Sequence, residues 1–234
     1  MDVNRSIWAR LRLELRVIGI AAPVTALAAT VGGAILVIAM HATGADAEHL
    51  DLAAGAVLAG FAPLGTAVAA SSIVGRDSGA ELVMTSTVYR RVLFLRVGLV
   101  VVPAALVTLV DAVVFRALNA WPEGQGTDGY VLVWAPPMVW LVALAMLIAI
   151  GLRSPAAASG LIGGIWLAQD LMRTAIMDNT VLRAQYMFMG VGAKVQAHEW
   201  TVNRIALPAV GILAVIAVGL LLGRPERFVG SDAA

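Results

Sequence analysis

The sequence contains no cysteine and few charged residues. The absence of cysteine excludes a disulfide framework, a thiolate metal site and a cysteine nucleophile. Only 13% of the 234 residues are charged, about half of the share that is usual in soluble domains, and the formal net charge is +1. So low a net charge excludes an intrinsically disordered chain and gives no reason to expect nucleic-acid binding. Lysine occurs once against fifteen arginines, which is typical of a GC-rich bacterial genome.

Hydrophobic residues make up 60% of the chain, with 23 glycines in addition. A soluble fold of this size cannot bury so much apolar surface, because much of the surface of a small domain stays exposed. The sequence therefore predicts a single membrane domain over 1–234. Six continuous apolar runs are long enough to cross a bilayer as helices, whereas membrane strands would alternate in polarity. The predicted spans of this all-α, polytopic fold are 17–40, 52–75, 97–120, 130–151, 156–176 and 205–223.

The basic residues are unevenly divided between the two sides of the predicted spans. With the N-terminus inside, eleven of the sixteen Lys and Arg residues fall on the inner side, and positive charge is enriched in short cytoplasmic loops. The sequence therefore predicts a multi-pass protein of the bacterial cytoplasmic membrane with both termini in the cytoplasm. A cleaved secretory signal with Ala26 and Ala28 at its cleavage site is an alternative, but the apolar run continues to Met40 and favours a retained span.

Residues 1–16 precede the first span and have an amphipathic pattern. Ile7, Leu11 and Leu15 recur every four residues, Trp8 flanks them, and arginines cover most of the remaining positions. This pattern is typical of a helix that lies in the membrane interface with its basic face toward anionic lipid. Flanking positive charge without an interfacial helix is the alternative, and the two interpretations are compatible.

Three of the four charged residues within the predicted spans require an explanation, because a charge at mid-membrane costs about 2.5–3.5 kcal/mol on insertion scales. The fourth, Arg116, can snorkel to the outer interface. Asp111 lies more than halfway along the third span. Asp170 and Arg173 lie three residues apart in the fifth span, so that on a continuous helix they share a face and can pair. We predict that the three residues line a translocation path. A proton relay and a structural role in orienting helices are the alternatives.

Small residues recur along the first and fifth spans. Such residues let helices approach closely, either within one subunit or between two subunits, and the sequence alone leaves both arrangements open. The positions are Ala22, Ala26 and Gly33 in the first span and Ala156, Gly160 and Gly164 in the fifth.

A polar segment, residues 76–96, connects the second and third spans on the predicted cytoplasmic side. Leu82, Tyr89 and Leu93 share one helical face, and arginines gather at the end of the segment. A short amphipathic helix of this kind suits docking into a groove of a soluble partner. Interfacial flanking sequence is the alternative interpretation.

This segment resembles the motif that follows the second span in permeases of the type-2 class of ATP-binding-cassette exporters. Thr87 stands where that motif usually has proline, and Arg96 stands where it usually has lysine. The matching residues are Asp77, Gly79, Glu81, Leu82, Thr85, Ser86, Arg90 and Arg91. The resemblance implies that these residues, together with Tyr89, form a coupling helix that binds an ATPase subunit.

The predicted architecture is similar to that family as well, with six spans, cytoplasmic termini, an N-terminal interfacial helix and an outer helical insertion over 177–204. The resemblance implies export of a lipophilic small molecule, a drug or antibiotic, a peptide or a lipid-like cargo. It also implies two ATPase subunits and a second permease subunit, identical or homologous, which meets this one mainly through spans one and five.

The chain contains no phosphate-binding loop of the G-x-x-x-x-G-K-[ST] type. Its single lysine, Lys194, is followed by valine and lies on the predicted outer side. We therefore expect no enzyme activity and no cofactor in this chain, with ATP and Mg bound by the partner ATPase. We also predict no metal site, since His198-Glu199 lacks the second histidine of a helical zinc motif.

Three other function classes are compatible with the sequence. An intramembrane lipid-modifying enzyme would use Asp111 and Asp170 as acid and base, although such enzymes usually cluster several polar groups at one depth. A proton-coupled carrier would depend on Asp111 and respond to pH rather than to ATP. An accessory membrane subunit would need neither group.

Overall fold

The computed structural model describes residues 12–74, 87–121, 131–191 and 195–222. Within these ranges all regular secondary structure is helical. Residues 12–18 are helical, and α2 includes a π-helical turn, Val57–Phe61. The helices that follow residues 12–18 are α1 (Ala21–Ala42), α2 (Ala47–Val74), α3 (Thr87–Ala117), α4 (Ala135–Leu152), α5 (Pro155–Leu171), α6 (Arg173–Asp178), α7 (Thr180–Ala184) and α8 (Ala197–Leu221).

Among the described residues, five helices are long and apolar enough to cross a membrane, namely α1, α2, α3, α4 and α8. The chain is therefore a membrane-embedded helical protein. The predicted span over 156–176 is not confirmed, because α5 has 17 residues and ends at Leu171. At the end of α5, Gln169 and Arg173 hydrogen-bond to backbone carbonyls elsewhere in the chain, and the helix is shorter than the roughly 20 residues of a typical span.

Helices α2 and α4 form the centre of the bundle. In their most apolar stretches 72% and 61% of the residues are buried, against 22–33% in α1, α3 and α8. α2 packs against α1, α3, α4 and α5, and α4 also packs against α5 and α8. The outer faces of α1, α3 and α8 expose large aliphatic side chains such as Ile35, Leu106 and Leu213. Such faces suit contact with lipid tails, which are as apolar as leucine.

The third predicted span and the end of the predicted coupling segment form one helix. α3 begins at Thr87, well before residue 97, where the span was predicted to start. Leu93, Val97 and Val100 are buried along one face, so the apolar periodicity runs on through the arginines. Residues 75–86 lie outside the described residues, and with them the first part of the predicted coupling helix.

The described end of the predicted interfacial helix is bound to α3 by an ion pair. Glu14 Oε2 lies 2.7 Å from Arg96 Nε, and Glu14 is buried. Because a buried carboxylate needs a partner, this contact fixes residues 12–18 beside the first turns of α3. Residues 1–11 lie outside the described residues.

α1 and α2 approach each other closely through small residues. A methyl group at Gly65 would lie 2.3 Å from the Cβ of Ala29, and one at Gly33 would lie 2.8 Å from both γ-carbons of Val57. Since Ala29 meets Gly65 and Gly33 meets Val57, the two helices are antiparallel. This contact holds the first span against the central helix.

We expect Gly65→Ala to destabilise the bundle, because the new methyl group fits against Ala29 only if α1 and α2 separate. Overpacking of this kind costs about 1–3 kcal/mol. Gly98→Ala is the matched control, since open space surrounds Gly98 and alanine favours a helix. Thermal unfolding in detergent, followed by circular dichroism, measures both variants. Equal midpoints for the two would contradict the close contact.

Candidate functional site

Residues 172–191, between α5 and α8, fold over one end of the bundle, and we call them the cap. The cap consists of α6, α7 and a non-helical stretch that is inserted among the helices. In that stretch the exposed fraction of Tyr186, Met187, Phe188 and Met189 is at most 5%. The non-helical stretch of the cap is therefore part of the hydrophobic core, whereas α6 and α7 contain no buried residue.

α2 makes room for the cap at two glycines. A methyl group at Gly55 would lie 2.8 Å from Cγ1 of Val191, and one at Gly60 would lie 2.6 Å from Cε1 of Phe188. Gly55 precedes the π-helical turn of α2 and Gly60 lies within it. π-Helical turns inside α-helices are frequent at functional sites. α2 thus presents its backbone to the cap at this point.

Side chains of α5 and α8 hold the cap by its backbone. Gln169 donates Nε2 to the carbonyl of Gln185 at 3.1 Å, and its Oε1 accepts the N–H of Met187 at 2.9 Å. Asn203 is fully buried and its Nδ2 lies 3.0–3.1 Å from three carbonyl oxygens. These carbonyls belong to Arg183, Ala184 and Tyr186. Each helix therefore satisfies backbone groups that the non-helical stretch leaves open.

Arg204 is the most deeply buried charged residue in the described part of the chain, with an exposed fraction of 3%. Its Nη2 donates to the carbonyl of Met189 at 2.8 Å, and its guanidinium carbon lies 5.5 Å from the ring centre of Trp200. Within the described ranges, Nε and Nη1 have no hydrogen-bond partner. A buried cation is costly unless it is paired, so the folded cap supplies part of what Arg204 requires.

The helix bounds of the structure do not coincide with those of the predicted outer insertion, 177–204. The helical part of the cap begins at Arg173, ahead of the predicted start of the insertion at residue 177. α8 begins at Ala197, so residues 197–204, which were assigned to the insertion, form the start of α8. Glu199 of α8 pairs with Arg183 of the cap at 2.8 Å. The polar side chains in the first turns of α8 find hydrogen-bond and ion-pair partners in the cap. α8 therefore begins well ahead of the apolar run at 205–223.

A half-open cavity of about 300 Å³ lies between α2, α5 and the cap, and we call it the aromatic cavity. The ring centres of Phe61 and Trp166 are 5.2 Å apart, and those of Trp166 and Phe188 are 5.9 Å apart at 71°. The other lining residues are Leu52, Ala56, Asp170, Arg173, Tyr186 and Val191. The cavity therefore combines aromatic surface with one carboxylate and one guanidinium.

Asp170 and Arg173 both line the aromatic cavity, but the predicted ion pair between them does not form. Arg173 instead donates Nη2 to the carbonyl of Val191 at 2.9 Å. α5 ends between the two residues, so the spacing of a continuous helix no longer applies. Burial raises the pKa of the Tyr186 phenol, with Arg173 lowering it and Asp170 raising it. Both charges therefore act on the same ring.

Asp111 lies apart from these two residues. It is buried on the face of α3 that also carries Thr108 and Phe115, and it does not line the aromatic cavity. In the described part of the chain its Oδ2 has no hydrogen-bond partner. The structure thus brings together two of the three predicted path residues and leaves the third separate, because α3 packs against α1 and α2 rather than α5.

The residues predicted for a subunit interface fall on two kinds of surface. On α1, Ala22 and Ala26 are buried and Gly33 lies against Val57 of the same chain. On α5 the predicted residues are exposed, with open space around both glycines. These exposed residues are Ala156, Gly160 and Gly164. A second subunit has access to the α5 set, whereas the α1 set is already used within the chain.

Two of the residues predicted to bind an ATPase, Arg90 and Arg91, have described side chains, and both are exposed in the first turns of α3. Tyr89 belongs to the same helix. The remaining predicted residues lie outside the described residues: Asp77, Gly79, Glu81, Leu82, Thr85 and Ser86.

Several residues of the site carry no strong mark in the sequence. No local pattern distinguishes Phe61 or Trp166 from other aromatic residues of apolar spans. Asn203 and Arg204 did leave a signal, since two polar residues stand directly before an apolar run. Their hydrogen-bond partners are backbone carbonyls 15 to 20 residues earlier in the chain. Because every residue has such a carbonyl, no residue type indicates which ones are bound.

Within the ranges described, no three His, Asp or Glu side chains are placed to hold a metal ion. Asp46 caps α2 instead: its Oδ1 accepts the N–H of His49 at 2.9 Å and lies 2.7 Å from His49 Nδ1. The backbone hydrogen bond from His49 lowers the pKa of Asp46. The hydrogen bond between Asp46 and the N-terminus of α2 therefore persists into mildly acidic solution. It is lost as the pH falls through the lowered pKa of Asp46.

No protein-family model, curated protein or solved structure matches this chain. Its function is therefore inferred from its own residues and from the resemblance in the segment 76–96. The cap, the aromatic cavity and the arginines at the start of α3 are the features that bear on that inference.

We expect Asn203→Leu to release the cap, because the buried carbonyl of Tyr186 and two half-buried carbonyls lose the Asn203 amide, and an unsatisfied buried polar group costs about 1–3 kcal/mol. Hydrogen–deuterium exchange of residues 180–191 should accelerate by about tenfold or more. Thr201→Val on the same helix is the control, since its hydroxyl is exposed and bonds only to the carbonyl of Ala197. Unchanged exchange in Asn203→Leu would contradict the proposed role of this side chain.

Proposed function

We propose that this chain is the permease subunit of an ATP-driven exporter of the type-2 ATP-binding-cassette class. The observation that carries the proposal is the continuity of α3, which joins the exposed Arg90 and Arg91 to the interior of the bundle. A partner that binds these arginines acts on a helix that is also a candidate span. A separate ATPase is needed, since the chain has no phosphate-binding loop.

The first turns of α3 have the contacts that a lever requires. Residues 87–96 extend about 15 Å along the helix axis at 1.5 Å per residue. Arg96, at the end of this stretch, is paired with Glu14, so residues 12–18 move with the helix. Movement of the bound partner is then transmitted along α3 toward the span, since the helix is continuous from the arginines into its apolar stretch.

A second cavity, of about 320 Å³, supports a lipophilic cargo. It lies between α3, α4 and α8 and its lining is almost entirely apolar, with Phe94, Val101, Met138, Val142 and Val215 among its residues. Phe94 follows Arg90 by four residues and therefore lies one helical turn further along α3. Tilting of α3 by the ATPase would change the width of this cavity, which couples nucleotide turnover to cargo movement.

The proposed complex contains two ATPase subunits and a second permease, identical or homologous. The exposed small-residue face of α5, with Gly160 and Gly164, supports a close contact with that second permease. In the bacterial cytoplasmic membrane, the arginine-rich end of α3 and both termini face the cytoplasm. The cap then faces outward, and α5 completes a sixth, short membrane segment.

Reversal of two charges tests the ATPase contact. We expect Arg90→Glu with Arg91→Glu to weaken association with the ATPase by about tenfold or more, equivalent to about 1.4 kcal/mol, because each new glutamate would repel the acidic groups that we expect the arginines to bind. Arg90→Lys with Arg91→Lys, which keeps both charges, is the control. Copurification of the ATPase and ATP-dependent efflux of a lipophilic fluorescent dye from inverted vesicles are the measurements. Unchanged association in the Glu variant, or an isolated chain that binds no ATPase, contradicts the proposal.

A proton-coupled carrier is the second candidate, and the buried Asp111 with its unpartnered oxygen favours it. Asp111→Asn keeps the shape of the side chain and removes its charge. In an ATP-driven exporter this variant retains about the wild-type rate of ATP-dependent efflux. Loss of pH-driven transport in Asp111→Asn, where wild-type transport needs no ATP, would instead identify the carrier.

A further inference from the structure

The aromatic cavity holds two opposite charges that are not paired with each other. Asp170 is exposed and forms no hydrogen bond or ion pair within the described part of the chain. Arg173 uses Nη2 for the carbonyl of Val191, which occupies one of its five N–H donors. The cavity can therefore bind a cationic group at Asp170 and an anionic group at Arg173.

We propose that the aromatic cavity binds the head group of a zwitterionic amphiphile. The cationic end lies against Asp170 and the aromatic rings, and the anionic end lies against Arg173. As a statement about the cargo this inference rests on the proposed function, whereas binding itself requires no ATPase.

The cationic end is recognised by aromatic faces and a carboxylate together. Phe61 and Trp166 are in contact at 5.2 Å, and Phe61 remains 43% exposed, so a ligand can reach its ring. Asp170 follows Trp166 by four residues on α5 and therefore lies on the same helix face. Substituted ammonium groups bind such combinations through the ring quadrupole and the opposite charge.

The anionic end is recognised by a guanidinium that is already held in place. Because Val191 accepts a hydrogen bond from Arg173, the side chain loses little further freedom when a ligand binds. The planar guanidinium matches phosphate and carboxylate oxygens, which it can bind through two parallel hydrogen bonds. The buried Val191 belongs to the cap, so this half of the site exists only while the cap is folded.

The charges and the size of the cavity both favour a zwitterionic amphiphile. A simple cation is repelled by Arg173 and a simple anion by Asp170, whereas a zwitterion satisfies both. The volume of about 300 Å³ is at the lower limit for small-molecule sites, so it encloses a head group and not a whole amphiphile. Leu167 and Leu171, exposed on α5 beside Asp170, offer an apolar surface for the tail.

Three probes with the same short chain test the proposal: hexylphosphocholine, hexyltrimethylammonium and hexyl phosphate. They are titrated below micellar concentration onto the full chain in a maltoside detergent, and tryptophan fluorescence is measured. Trp166→Phe identifies the part of the signal that comes from the cavity. We expect the zwitterion to bind about tenfold more tightly than either single-charge probe. Equal binding of the three probes would overturn the proposal.

Variants that remove one charge of the cavity should replace the preference for the zwitterionic probe by a preference for one of the two single-charge probes. Asp170→Asn should favour hexyl phosphate, and Arg173→Gln should favour hexyltrimethylammonium, each by about tenfold. Arg173→Lys keeps the charge and should keep the zwitterion preference, which separates loss of charge from loss of the cap contact. Asp178→Asn, an exposed carboxylate outside the cavity, should change nothing. Zwitterion preference that survives both charge removals would overturn the proposal.

Failure of the site and failure of the proposed function are distinguishable. Zwitterion preference without any copurifying ATPase supports the site and contradicts the exporter. An ATPase that copurifies with a chain lacking the preference contradicts the site alone. In vesicles that contain the ATPase complex, ATP-dependent movement of hexylphosphocholine identifies a cargo site, whereas preference without movement identifies a site for a resident membrane lipid.

Discussion

Non-helical backbone buried among apolar helices must find its hydrogen-bond partners within the protein, and the rest of this structure depends on how that requirement is met. The cap has the requirement because its non-helical stretch, from Tyr186 to Val191, is almost fully buried. Gln169 on α5 and Asn203 on α8 supply most of the partners, and Arg204 supplies another. Since α5 and α8 are both bound to the cap, the cap connects two helices that otherwise meet the bundle separately.

The central helix α2 meets two neighbours where side chains are smallest. Gly65 lies against α1, and Gly55 and Gly60 lie against the cap. Without a strong hydrophobic driving force between helices in lipid, close packing at small residues contributes much of the association. The π-helical turn lies between Gly55 and Gly65 and includes Gly60. α2 therefore changes its geometry at the level where it forms one wall of the aromatic cavity.

In the proposed exporter the two ends of the molecule have different tasks. The arginines at the start of α3 receive the force of the ATPase, and the apolar cavity beside Phe94 is the part of the bundle that this force reaches first. The aromatic cavity lies at the other end, with one wall in the cap. Any movement that changes the distance between α5 and α8 therefore acts on the head-group site through the cap.

The sequence by itself determined the membrane character, the all-helical class and the approximate positions of five spans, because hydropathy is a property of consecutive residues. The sixth span stays a prediction, because α5 has 17 residues and ends where Gln169 and Arg173 find backbone partners in the cap, which hydropathy does not reveal. Tertiary structure alone decided that Asp170 and Arg173 share a cavity without pairing, that Asp111 lies apart, and that the small residues of α1 are used within the chain. Those outcomes depend on which groups meet across helices. Every residue carries the same backbone carbonyl, so the sequence does not indicate which carbonyls accept hydrogen bonds from distant side chains.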